Sequence, residues 1–221
     1  MPSIEENLAV YSSQGVFPSH GDGWTNQAEY CGVNYELWKA ELFDEFAKPF
    51  ILSDGLVLEI GPGHGRWSQL LAPLVPQGRC ILVDLSPACI DYCRSRLYSF
   101  GNVTYMVNNG YSLPFLPTGS IDFIWSYDTF VHIEEPETRS YFLEFRRVLK
   151  LGARGCIHHP GTPTAEQRSA GWRSMVTAAV VRKIAQESEL KVMRQTDSWG
   201  PNGMCNTKLH SDIITEFTRI N

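Results

Sequence analysis

From Tyr35 to Phe50 the apolar residues Trp38, Leu42, Phe43, Phe46 and Phe50 recur at helical spacing, which predicts an amphipathic helix ahead of the main body of the chain. Beyond it, short apolar runs alternate with helical patterns. "LVLEI" reads as a buried strand and "GRWSQLLAPL" as a helix. "CILVDL" is a second strand, and "PACIDYCRSRLYSF" a helix with Ile90, Cys93 and Leu97 on one side. "VTYMVN" and "IDFIWSY" follow as strands, and Pro136 opens a helix through Tyr141, Phe142, Phe145 and Leu149. "RGCIHH" is a fifth strand, and a loop, "PGTPTAEQRSAG", precedes a helix over 177–188. The last two runs, "LKVMRQTDSW" and "DIITEFTRI", have no helix between them and are expected to pair antiparallel.

Repeated strand–helix units predict an α/β fold: a seven-stranded, mostly parallel sheet with helices on both faces and an antiparallel last strand. Residues 1–32 show little periodicity and carry the loop signal "PSHGDGW". The predicted organisation is an N-terminal lid segment and helix over 1–50, packed on a main domain over 51–221.

Composition narrows the function classes. A chain of 221 residues that is 43% hydrophobic can bury a core, and its net charge of −5 argues against a nucleic-acid partner. The cluster Arg146, Arg147, Lys150 and Arg154 reads as a solvated helix end. The six cysteines have no metal-ligand spacing, so no metal is expected. No stretch has the length of a membrane span, and the start lacks the basic and apolar regions of a signal peptide. A soluble, cytoplasmic protein without a membrane partner is expected.

The candidate chemistry begins at "GPGHG", residues 61–65, which turns the chain between the first strand and the next helix. Glycine tolerates positive φ and lets a ligand approach the main chain. The dinucleotide pattern G-x-G-x-x-G would need glycine where Arg66 stands, and the Gly-Lys-Ser/Thr end of a phosphate-binding loop is missing. Asp84 ends the second strand, where a carboxylate can take two hydrogen bonds from a ribose diol. The ligand therefore has a ribose and something compact at the glycine turn.

These stretches resemble the class I S-adenosylmethionine-dependent methyltransferases, whose fold is Rossmann-like. "LEIGPGHG" is similar to that family's first motif, "LVDLS" to its second and "NNGYSLPF" to its third region; the resemblance runs over most of 55–217. It implies S-adenosyl-L-methionine as cofactor. Glu59 and Gly61 would lie near the methionyl amino group, Gly63 under the sulfonium and Gly65 in the same turn. Asp84 would hold the ribose, Leu85 would lie beside the adenine, and Asn109 and Gly110 along its edge. Ser126, at the end of the fourth strand, is counted with this set. Asn109 stands where the family more often has aspartate, and "LKLGARG" replaces its usual L-K-P-G-G turn.

Methyl transfer from a sulfonium needs alignment of nucleophile and methyl, and removal of a proton where the nucleophile carries one. After the fourth strand, "WSYDTFVHIEE" offers Asp128, which is equally readable as a turn cap, and His132. After the fifth, "CIHHPG" offers His158 and His159, which alternation sends to opposite faces, so one at most meets a ligand. Asp128, His159 and His132 are the candidate bases. Trp24, Tyr30, His158 and Trp172 are the candidate acceptor-pocket residues. "SYDT" is unlike the motif of enzymes that methylate DNA-base amines, and "HHPG" lacks the Asp-Asn pair of magnesium-dependent catechol-type enzymes. The expected activity is metal-free transfer to O, N or S of a small-molecule acceptor, by a monomer or homodimer. A nicotinamide-dependent oxidoreductase, disfavoured by Arg66, and a non-catalytic interaction module are the alternatives.

Overall fold

The computed structural model describes residues 3–12, 26–162 and 173–221. Inside its main sheet lies β1 (Leu56–Ile60), four of whose five residues are buried because both faces are covered. Around it run β2 (Arg79–Asp84), β3 (Val103–Val107), β4 (Ile121–Ser126), β5 (Leu149–Pro160) and β6 (Leu190–Thr196). A two-residue pair, β7 (Ser198–Trp199) and β8 (Cys205–Asn206), stands apart, and β9 (Asp212–Arg219) rejoins the main sheet. The sheet order is β3-β2-β1-β4-β5-β9-β6. The first five of these strands are parallel, and β9 is antiparallel to both of its neighbours. The predicted sheet, with its antiparallel last strand, is the one observed.

Successive residues of β1 feed two cores. Val57 joins Trp38, Leu42, Phe43, Phe46, Trp67 and Trp125 on one face. Leu58 and Ile60 join Phe130, Phe142, Phe145, Ile184 and Phe217 on the other. The helices are α1 (Ile4–Ser12), α2 (Asn26–Cys31), α3 (Tyr35–Phe46), α4 (Ser68–Leu71), α5 (Pro87–Arg96), α6 (Glu135–Val148) and α7 (Ala178–Glu187). Side-chain caps start three of them: Asn34 for α3, Ser86 for α5 and Thr177 for α7.

Two departures from the sequence reading have local causes. The helix expected after the glycine turn is one turn long and passes into a 3₁₀ segment, Ala72–Leu74, at Pro73, which has no N–H for an α-helical bond. Residues 4–12 and 26–31, which show no periodicity, are helical. No residue of α1 is buried, so an apolar stripe was never required of it. The basic cluster is spoken for within the fold. Arg147 holds Glu144 and the Leu113 and Leu116 carbonyls, Lys150 holds Asp122, and Arg154 lies over the Phe50 ring.

The chain runs outward from β1 to β2 on one side and to β4 on the other, so direction splits between β1 and β4. In open parallel sheets this is where ligands bind, beyond the carboxyl ends of the strands.

Candidate active site

A cleft of about 1320 Å³, counting its open mouth, lies at that split. The glycine turn forms its floor. Gly61 (φ 68°) donates its N–H to the Val83 carbonyl at 2.8 Å, and Gly63 (φ 54°) donates to Asp84 Oδ2 at 3.1 Å. Both need the left-handed region that side chains disfavour. Asp84 Oδ1 accepts the Ser86 N–H at 2.9 Å. Burial pushes the Asp84 carboxyl up to about 6, against the pull of these backbone donors. These backbone donors leave part of the carboxylate's acceptor capacity unused, and Asp84 lines the cleft.

Next to Asp84, Leu85, Gly110 and Ile4 of α1 form an apolar slot. A Cβ on Gly110 (φ 87°) would lie 3.4 Å from Ile4 and 3.5 Å from Leu85. A buried acid at the cleft, bare main chain and an apolar slot suit S-adenosylmethionine. Helix α1 borders the cleft. Ile4, Asn7 and Tyr11 line it, Asn7 Nδ2 donates to the His132 carbonyl at 2.7 Å, and Ser86 Oγ donates to the Tyr11 carbonyl at 3.1 Å.

Opposite the slot stands Asp128, left-handed at φ 60° and with 24% of its side chain still exposed. The buried Arg66 guanidinium donates to Asp128 Oδ2 at 2.7 Å and lies over the Trp67 and Tyr127 rings. Burial works to raise the Asp128 carboxyl. The His158 contact and the Arg66 charge outweigh it and hold the group far below the usual carboxylate range. The wall continues through Tyr127, Val131, Ile133 and Tyr141 to Glu134, Glu137, Arg173 and His210.

The cleft lining takes up Gly61, Gly63, Asp84, Leu85, Gly110, Asp128 and His132. Other candidates sit elsewhere. Gly65 faces Cys93 and Leu97, closing the turn from behind. Ser126 is buried and donates to the Ile60 carbonyl at 2.9 Å, tying β4 to β1. Asn109 is exposed and folds back on the N–H groups of Tyr111 and Ser112, leaving only Gly110 of that pair at the cleft.

His159 is corrected as a base. It is fully buried, with Nε2 at 2.6 Å from Thr215 Oγ1 and Nδ1 at 2.7 Å from the Pro160 carbonyl, and burial drives its basicity down to about 4. Its partner in the alternation, His158, turns toward the cleft but stops behind Asp128 and does not line the pocket. Tyr30 is corrected as a pocket residue: it is 58% exposed, while α2 turns Asn26 and Gln27 to the cleft. Trp24 and Trp172 lie outside the described residues.

The sequence reading missed Tyr11, Gln27, Arg66, Arg173, His210 and, behind them, Asp212. Arg66 was visible only as an interruption of a glycine pattern. Asp212 becomes a neighbour only through the antiparallel register that sets it opposite Pro160.

Glu59 stands 1% exposed beneath the turn, where it accepts a 2.6 Å hydrogen bond from Ser68 Oγ. Burial raises its carboxyl to about 8, with Ser68 and Arg66 opposing. A carboxyl with a raised folded value stabilises the fold while protonated and loses that contribution as pH rises from about 4.5 through about 8. The ligand-free protein is therefore expected to melt lower at pH 8 than at pH 5, by on the order of a few kcal/mol in stability. Glu59→Gln should flatten that slope in calorimetric melts; an unchanged slope would contradict the assignment.

Comparison with known proteins agrees with the geometry. Residues 57–152 match the family described as "Methyltransferase domain". The chain is 26% identical over 197 residues to the "Probable phthiotriol/phenolphthiotriol dimycocerosates methyltransferase 2" of Mycobacterium ulcerans, covering 86% of this chain and 69% of that one. It is 27% identical over 119 residues to the malonyl-[acyl-carrier protein] O-methyltransferase of Methylococcus capsulatus, covering 54% and 42%. Among solved structures, the geranyl diphosphate C-methyltransferase of Streptomyces coelicolor A3(2), in complex with S-adenosyl-L-homocysteine, superposes with a TM-score of 0.72 at 15% identity over 98% of both chains. Residues 57–152 thus match a methyltransferase domain, and the strand order and the cleft are those expected from the resemblance to the class I S-adenosylmethionine-dependent methyltransferases.

Proposed function

We propose that the chain transfers the methyl group of S-adenosylmethionine to an O, N or S atom of a small-molecule acceptor. The observation that carries this is one continuous cleft. It joins Asp84 and the glycine turn to Asp128 in a largely apolar chamber whose wall includes Tyr127, Val131, Ile133 and Tyr141. Such a chamber suits a compact organic molecule with few polar anchors. The substrates named for the three relatives differ from one another, so the lining of this chamber selects the acceptor.

When bound, S-adenosylmethionine supplies an electrophilic methyl on a sulfonium. The protein does the rest. Asp84 would accept the ribose hydroxyls, and the main chain at Gly61 and the bare Gly63 would line the methionyl part. Leu85, Gly110 and Ile4 would enclose the adenine. Asp128, kept ionised by Arg66, accepts the acceptor's X–H and turns its lone pair toward the methyl. Helix α1 excludes water. The six cysteines are all free thiols, five of them buried, which supports a reducing, cytoplasmic setting. No helix of the described residues is long and apolar enough to cross a membrane.

Incubation with methyl-labelled donor and a metabolite extract tests the reading. Label is expected in one small organic product. Label confined to protein or nucleic acid, or calorimetric binding of NAD without binding of S-adenosylhomocysteine, would overturn it.

A further inference from the structure

Behind Asp128 lies a set of ionisable groups, His158, Asp212 and Arg173, to which the proposed methyl transfer gives no role. His158 sits fully buried at the end of β5 between two carboxylates, with Nδ1 3.3 Å from Asp128 Oδ1 and Nε2 3.3 Å from Asp212 Oδ2. Arg66 backs Asp128 and Arg173 pairs with Asp212, so the four outer charges cancel. The Tyr127 ring stacks on the imidazole at 4.2 Å, and His159 and His210 are the remaining titratable neighbours. His158 Nε2 and Asp212 Oδ2 have no aligned hydrogen bond among the described residues, although both are buried. Buried polar atoms are rarely left in that state without a reason.

The Nδ1 side is also poised between two arrangements. The Asp128 main-chain N–H points at Nδ1 from 3.3 Å, the same distance as Asp128 Oδ1. A neutral imidazole accepts the N–H at Nδ1 and presents Nε2–H to Asp212. An imidazolium instead gives Nδ1–H to Oδ1 and keeps Nε2–H on Asp212. The change needs one proton and no movement of heavy atoms.

We propose that His158 is the proton store of this active site, taking up through the Asp128 carboxylate the proton that leaves the acceptor during methyl transfer. The proposal rests on the reading of the cleft given above. As the X–CH₃ bond forms and the sulfur–methyl bond breaks with its electron pair on sulfur, the X–H proton passes to an Asp128 oxygen. Asp128 Oδ1 passes a proton to His158 Nδ1. One positive charge is lost at sulfur and one appears on the imidazole, so the charge of the site is conserved. Asp212, paired with Arg173, supports the imidazolium from the far side, as the buried acid does in a hydrolase triad. His158 is thus a positioning residue acting through Asp128. Burial opposes its charging, but the two carboxylates prevail and raise its basicity above the ordinary histidine value.

A sulfonium in the same cleft repels an imidazolium, whereas a thioether does not. S-adenosylmethionine should therefore favour neutral His158, the form able to take a proton, and S-adenosylhomocysteine should not. The test is ¹⁵N NMR of imidazole-labelled protein titrated from about pH 5 to about pH 9, alone and with each ligand, with His158→Gln assigning the signal. His158 is expected to change protonation in that range, at a lower pH with S-adenosylmethionine than with S-adenosylhomocysteine. The ratio of the two affinities in calorimetry should then shift about tenfold toward S-adenosylmethionine as His158 loses its proton. Asp212→Asn, which serves as the second assignment if His158→Gln does not fold, should lower the His158 titration. A His158 that keeps one protonation state throughout, or titrates identically with both ligands, would overturn the proposal while leaving the cofactor assignment intact. Failure of both ligands to bind would remove the cleft assignment itself and this proposal with it.

Discussion

Asp84→Ala is expected to weaken S-adenosylhomocysteine binding by about a hundredfold or more in titration calorimetry. The carboxylate offers two charge-assisted acceptor positions to the ribose, each worth ~1.5–3 kcal/mol. Their sum, ~3–6 kcal/mol, corresponds to about 10²–10⁴ in Kd. Two further consequences separate a lost contact from a damaged fold. The wild type should bind more weakly below pH 6, because the Asp84 carboxyl, pushed up to about 6 by burial, then carries a proton. The Ala variant should show no such fall. Asp84→Asn keeps one carbonyl acceptor but no charge, and should fall between the two. Gly63 and Ser86 each lose an acceptor in the Ala variant, at ~1–3 kcal/mol of stability where water does not replace it. The melting point must be recorded beside each affinity. Unchanged affinity in a folded Asp84→Ala protein would remove the ribose assignment.

The legibility of this molecule in its sequence divides along one physical line. Features fixed by a few neighbouring residues were readable: the buried run 56–60, the glycine turn after it, Asp84 at a strand end and the helix opened by Pro136. Features set by tertiary register were not. Alternation along β5 placed His158 and His159 on opposite faces, but nothing local said which face carried the cleft. That depends on Asp128 adopting a left-handed turn and on β9 lying antiparallel to β5, which sets Asp212 across from Pro160. Choosing His159 over His158 was therefore a choice between equals, and neither lines the cleft: His158 stands behind Asp128 and His159 turns to Thr215. The helix α1 escaped for a different reason. It buries no residue, so the pattern that betrays a core helix is missing, and what it covers is the cleft rather than the hydrophobic core. Arg66 shows a third case: read against a dinucleotide pattern it was merely a missing glycine, yet its guanidinium holds the Asp128 carboxylate in place.

Gly61→Ala is expected to damage the fold and the cleft together. The new Cβ would fall 2.2 Å from Thr129 Oγ1, 2.3 Å from its Cγ2 and 2.8 Å from its Cβ, closer than non-bonded atoms tolerate. Gly61 also sits at φ 68°, where a Cβ adds ~1–2 kcal/mol of strain of its own. Neither side can yield cheaply. The Gly61 N–H is bonded to the Val83 carbonyl at the strand end, and Thr129 Oγ1 donates back toward the Gly61 carbonyl at 3.1 Å. A loss of ~2–4 kcal/mol is expected in urea unfolding, from backbone strain and overpacking together. The displaced turn should also carry Gly63 away from Asp84 and lower S-adenosylhomocysteine affinity at least tenfold. Thr129→Ala by itself removes two of the three clashing atoms, so the double variant should regain part of the lost stability. It should not regain all of it, because the left-handed strain at position 61 and the contact with the remaining Cβ persist. A double-mutant cycle measures that coupling. If the two losses simply add, Thr129 is not what the missing Cβ makes room for, and the close packing of the glycine turn against the loop after β4 would have to be abandoned as the cause.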